Sequence, residues 1–131
     1  MKYNKLIRDK IPEKIMQSGK AVTFRKLNDD EYKKELENKL LEESIEFQES
    51  KSIFEIADII EVLIALIRAY GFNIFEVLKA LIKKRLERGG FKEKIFLEEV
   101  KDNEMAINEV VADEVPIDDE VKYDDEDVEA I

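Results

Sequence analysis

The stretch FEIADIIEVLIALIRAY, residues 54–70, decides the fold. It is apolar nearly throughout, with neither proline nor glycine, so it reads as a helix buried over most of its circumference. Yet Glu55, Asp58 and Glu61 stand inside it at three-residue steps. Carboxylates on such a helix need a cation, a metal or a solvated edge.

Outward from this helix, the punctuation is clear. Upstream, Asn28 with Glu31 three residues later forms a capping-box-like start for a long helix running to about residue 49. The Lys51-Ser52 connection is short enough that the two helices should fold back antiparallel. Downstream, Gly71 is placed as a C-terminal stop, and Asn73 with Glu76 starts a third long helix that ends near Arg88 at Gly89-Gly90. A short helix over IPEKIMQSGK, with Pro12 in its first turn and Gly19 at its end, precedes an extended AVTFRKL, residues 21–27. FKEKIFLEEV, residues 91–100, reads as extended or weakly helical. The pattern predicts an all-α antiparallel helical bundle. Three long helices make a limited core, and the apolar one should lie centrally or between copies, so oligomerisation is expected to complete the fold.

The 131 residues fit one domain. With 44% hydrophobic and 41% charged residues and few glycines and prolines, the composition favours helices over a sandwich or barrel. Of the 32 acidic residues, 13 fall in 102–131, against one lysine, Lys122; residues 1–101 then hold 21 basic and 19 acidic residues. The net charge of −10 therefore belongs to the C-terminal stretch. Residues 1–101 read as the domain and 102–131 as an acidic, flexible tail. No apolar run suits a bilayer span, and the charged N-terminus MKYNKLIRDKIPEK lacks the core of a signal peptide, so a cytoplasmic protein without a membrane partner is expected.

Absent residue types prune the chemistry. Without histidine or cysteine, Ser-His and Cys-His catalysis, zinc fingers and dithiol redox sites are excluded. Any bound metal would have oxygen ligands, which points to Mg²⁺, Mn²⁺ or Ca²⁺. At about 100° per residue, Glu43 lands about 20° from Leu36, inside the apolar stripe of Tyr32, Leu36, Leu40 and Phe47, and Glu46 lies on its edge beside Lys39. On the next helix, Glu55 and Asp58 share a face with Ile59, Val62 and Leu66, and Glu61 lies further round. An antiparallel turn brings the two acidic pairs opposite each other. A hard divalent cation would relieve their repulsion.

Glu43-Ser-Ile-Glu46 followed by Glu55-Ile-Ala-Asp58 has the form ExxE…ExxD. With the flanking KLLEESIEF and FEIADIIEVLIAL, it resembles the MazG-like all-α nucleotide pyrophosphohydrolases, a superfamily that also includes phosphoribosyl-ATP pyrophosphohydrolase and dimeric dUTPases. KLIRDKIPEKI and KKRLERGGFKEKIFLEEV resemble the phosphoribosyl-ATP pyrophosphohydrolase-like branch, so the similarity covers about residues 3–100. Only eight residues separate Glu46 from Glu55, fewer than in many superfamily members.

The resemblance implies cleavage of a nucleoside triphosphate between its α and β phosphates, giving a nucleoside monophosphate and pyrophosphate, in the manner of enzymes that clear non-standard nucleotides. It implies Mg²⁺, with Mn²⁺ as the alternative, on Glu43, Glu46, Glu55 and Asp58. Glu43 or Glu46 would act as general base, with Lys39, Glu42 and Glu61 around them. Two basic clusters are candidates for the substrate phosphates: Arg8 with Lys10, and Lys83, Lys84, Arg85 and Arg88 at the end of the third long helix. Tyr3, Phe24 and Phe91 are candidates for the base. The expected partners are a nucleoside triphosphate and further copies of the chain, as a homodimer or homotetramer, with no stable nucleic-acid binding. Phosphoribosyl-ATP hydrolysis, and a non-enzymatic interaction module with an acidic tail, are the alternatives.

Overall fold

The computed structural model describes residues 1–102, and the acidic stretch singled out above lies, apart from Asp102, outside them. Four helices make up the regular structure: α1 (Ile11–Gln17), α2 (Asp29–Ser50), α3 (Ile53–Ala69) and α4 (Ile74–Arg88). There is no strand among the described residues, so the all-α expectation holds. The chain divides into two units, Met1–Gly90 and Phe91–Ile131. In the second, a turn closed by Lys94 N–H on the Phe91 carbonyl leads into irregular backbone up to Asp102.

Local chemistry accounts for the helix ends. Asn28, Ser52 and Asn73 each turn a side-chain oxygen onto a backbone N–H of the turn that follows, relieving one unpaired donor per helix. In the anticipated capping box on α2, Asn28 Oδ1 accepts from Glu31 N–H at 2.9 Å, while the Glu31 carboxylate pairs with Arg25 at 2.8 Å and is drawn below its usual range by that partner first and by the Asn28 backbone N–H as well. That ion pair ties the irregular segment 21–27 to the first turn of α2. The stop at Gly71 is a Schellman motif: Phe72 N–H reaches the Ile67 carbonyl and Gly71 N–H the Arg68 carbonyl, with Gly71 at φ 69°.

α2 and α3 form an antiparallel hairpin and are the helices that pack extensively on each other. Lys51 makes the turn in the left-handed region at φ 54°, and Ser52 caps the next helix. At the far end of the hairpin, the Tyr70 hydroxyl donates to Glu37. The hairpin holds the two apolar side chains that are buried among the described residues, Leu36 and Val62. Both stand on the stripes that helical spacing assigns to the core.

The expectation of a third packed helix does not hold within the single chain. Helix α4 makes no comparable contact with α2 or α3, and its Phe75 and Leu86 are exposed. Nor is α3 enclosed, since Ile53, Phe54, Ile60 and Leu63 face outward. Apolar composition here exceeds what one hairpin can bury.

Candidate metal centre

The site is assembled where α2 and α3 approach their connection. Glu43 projects from the apolar stripe of α2, and Glu55 and Asp58 project from successive turns of α3. Carboxylate oxygens of these three residues all lie within 4.8 Å of one another. Among the described residues Glu43 is the buried polar side chain, at 5% exposure, and its Oε2 has no hydrogen-bond partner. An unsatisfied buried carboxylate oxygen is costly. Its presence beside two further carboxylates marks a position built to receive positive charge.

The surroundings are graded. Lys39, one helical turn before Glu43, lies 3.4 Å from Glu43 Oε1 and 3.3 Å from Glu42 Oε2. Lys5 reaches in from the N-terminal segment to Glu42 at 3.1 Å, and Arg8 bonds Asp58 Oδ1 at 2.6 Å. Glu46 stands half-buried one turn beyond Glu43. Burial, then the hydrogen bond that a protonated Glu43 makes to Glu46 and the Glu46 charge, push the Glu43 carboxyl above its ordinary range, although Lys39 pulls the other way. Burial acts upward on Glu42 as well, but the hydrogen bonds from Lys5 and Lys39 outweigh it and leave Glu42 below the usual value. Two adjacent glutamates of one helix are thus driven in opposite directions by their neighbours.

Five carboxylates (Glu42, Glu43, Glu46, Glu55 and Asp58) meet three cations (Lys5, Arg8 and Lys39) here, which leaves a formal excess of two negative charges. One divalent cation balances that excess. Oxygen donors alone suit Mg²⁺, Mn²⁺ or Ca²⁺ and do not choose among them.

Of the residues singled out from the sequence, Glu43, Glu55 and Asp58 are brought together, with Glu46, Glu42 and Lys39 beside them. Glu61 is exposed and forms no ion pair within the described residues, and Arg8 pairs with Asp58, which faces the N-terminal segment. Lys10 sits exposed at the start of α1. Lys83, Lys84, Arg85 and Arg88 are exposed along α4, where Lys83 lies 3.9 Å from Glu87, and α4 is not packed on the hairpin. Tyr3, Phe24 and Phe91 are exposed as well. The apolar recess of the first unit, about 330 Å³, lies at the other end of α3, lined by Ile64, Ile67, Arg68, Phe72 and Ile74.

Lys5 was not apparent from the sequence as a site residue. It lies in an irregular segment, where no periodicity says which way a side chain points; its spacing of three from Arg8 is the available signal.

Comparisons with protein-family models, with curated proteins and with solved structures found no match, so the functional reading stands on the residues themselves.

Proposed function

We propose that the chain is a divalent-cation-dependent nucleoside triphosphate pyrophosphohydrolase of the MazG-like kind, acting on non-standard nucleotides. The observation that carries this reading is the buried, unpartnered Glu43 Oε2 beside Glu55 and Asp58. The ExxE…ExxD spacing that suggested the resemblance is the spacing that places those three carboxylates together.

The fit to a cation is good: three oxygen donors converge, one of them is orphaned, and the local charge calls for two positive units. Glu43, Glu55 and Asp58 would hold Mg²⁺, with Glu46 at their side. When bound, the ion supplies charge neutralisation of phosphate oxygens and lowers the pKa of water. Glu46 neighbours Glu43 without belonging to the close triad, which suits it to take the proton from the water that attacks the α-phosphorus. The bond from that phosphorus to the α–β bridging oxygen then breaks, and pyrophosphate leaves. Lys39 keeps Glu42 and Glu43 oriented through its two contacts.

The working assembly in this proposal contains at least two copies of the chain. Ile53, Phe54 and Ile60 on α3, with Phe75 and Leu86 on α4, expose apolar surface that a second copy would cover. The cations of α4 would serve the phosphates only in such an assembly, since within one chain α4 is not packed on the hairpin.

The test is pyrophosphate release from a panel of standard and modified nucleoside triphosphates with Mg²⁺. Turnover of at least one, lost in Asp58→Asn and Glu43→Gln, supports the reading. No turnover, together with divalent-metal binding that both substitutions leave unchanged, would sink it. Light scattering of the full chain decides the assembly: a monomer at micromolar concentration rules out the multi-copy form.

A further inference from the structure

The N-terminal segment lies across the hairpin at the acidic cluster. Leu6 and Ile7 are half-buried, and the flanking cations reach different helices: Lys5 takes Glu42 of α2, and Arg8 takes Asp58 of α3. These contacts are not equivalent. Glu42 stands outside the close triad, whereas Asp58 belongs to it. Arg8 therefore already neutralises a carboxylate that a metal would need.

We infer that Arg8 is an exchangeable counter-ion: a divalent cation displaces it from Asp58, and the freed guanidinium then receives the anionic group of the ligand. This rests on the metal centre proposed above and adds an order of events to it. One observation and two physical arguments support exchange over a fixed arrangement. The Arg8 side chain is 56% exposed, so it can swing away without repacking any core. An exposed ion pair is weak, because water competes for both partners. Two cations on one carboxylate would repel strongly at such close range. The weak contact yields to the stronger one.

Chemistry favours what comes next. Arg8 commits one amino group to Asp58 Oδ1, and its remaining donors have no partner among the described residues. Once released, it presents its full fork of donors at the edge of the centre, and that fork matches phosphate oxygens. The half-buried Leu6 and Ile7 keep the segment seated, so Arg8 does not drift off. The ligand class this selects is a polyphosphate that carries its own divalent cation.

Two titrations on the full-length chain test this, each with wild type, Arg8→Ala and Lys5→Ala. Lys5→Ala removes the same charge from the same neighbourhood without touching the triad, so it measures the general field. With Mn²⁺ alone, calorimetry should show Arg8→Ala binding more tightly than Lys5→Ala by about 2–5-fold, the worth of an exposed ion pair. With inorganic triphosphate in saturating Mn²⁺, Arg8→Ala should bind more weakly than wild type. These effects of opposite sign are the signature of exchange. Mn²⁺ binding by Arg8→Ala that is equal to or weaker than that of Lys5→Ala overturns the exchange and leaves the metal centre standing. Unweakened triphosphate binding overturns the hand-over to the ligand. Wild type that binds no Mn²⁺ removes the centre and the exchange together.

Discussion

Glu43→Gln should stabilise the metal-free protein and at the same time abolish its response to metal. Glu43 lies at most 4.8 Å from carboxylate oxygens of Glu55 and Asp58. At an effective dielectric of about 20, each such pair repels by roughly 3.5 kcal/mol when both are ionised. Lys39, 3.4 Å from Glu43 Oε1, returns roughly 5 kcal/mol on the same scale. Arg8 on Asp58 offsets most of that carboxylate's share, so repulsion and attraction nearly cancel, and burial together with the Glu46 charge leaves the ionised form of Glu43 disfavoured. The amide keeps the shape and removes the charge, and Lys39 retains Glu42 at 3.3 Å, so no cation is orphaned. A gain of about 1–2 kcal/mol corresponds to a rise of roughly 4–15 °C in Tm for a domain of this size. Wild type should gain about 2.7 kcal/mol at Mn²⁺ a hundredfold above Kd, and the variant close to none. Thermal unfolding with and without Mn²⁺, after chelation of adventitious metal, reads both numbers. A variant that melts lower without metal, yet still responds to Mn²⁺, refutes the charge reasoning and the ligand assignment alike.

The pH dependence of the metal-free chain should have two flanks of opposite origin. Because Glu43 is raised above 4.5 in the fold, its contribution is fully present below 4.5 and is lost as pH rises through the raised value; Glu42 is lowered, so its contribution is present above 4.5 and is lost as pH falls through the lowered value. In denaturant titrations across pH, Glu43→Gln should flatten the upper flank and leave the acid flank in place; an unchanged upper flank would assign it to another group. Leu36→Ala, at 3% exposure in the hairpin core, should cost about 2–5 kcal/mol, and a loss below about 1 kcal/mol would show that the α2–α3 contact is not the core. Gly71→Ala should lower stability by roughly 1–2 kcal/mol, because φ 69° puts a Cβ in the left-handed region even though space is open there, whereas Gly90→Ala, equally open and at no positive φ, should be near neutral. Equal melting curves for the two alanine variants would contradict the Schellman assignment.

The helices and their ends were legible in the sequence because capping and periodicity are local chemistry. Asn28, Ser52, Gly71 and Asn73 act within four residues of where they stand. The inward aim of Glu43 was legible for the same reason: a helix wheel needs only rise and twist. The antiparallel α2–α3 hairpin was legible too, from its short connection; what failed was the packing of α4. The apolar spacing of α3 and α4 says that these faces need cover, not what covers them, and in the single chain α4 stays apart. Lys5 and the Arg8–Asp58 pair were hidden for a different reason. They depend on the path of an irregular segment more than thirty residues from its partners, and no pattern in the sequence encodes that path.

The tight Lys51-Ser52 turn has a kinetic consequence. All three close acids fall between residues 43 and 58, so the centre is closed by a very short loop. Contacts of low sequence separation cost little chain entropy and form early in folding. The carboxylates should therefore meet before the N-terminal segment arrives to neutralise them. During that interval the nascent hairpin holds an uncompensated acidic knot that resists its own zippering. A divalent cation present at that moment would act as a template for folding, and refolding should be faster with Mg²⁺ than after chelation.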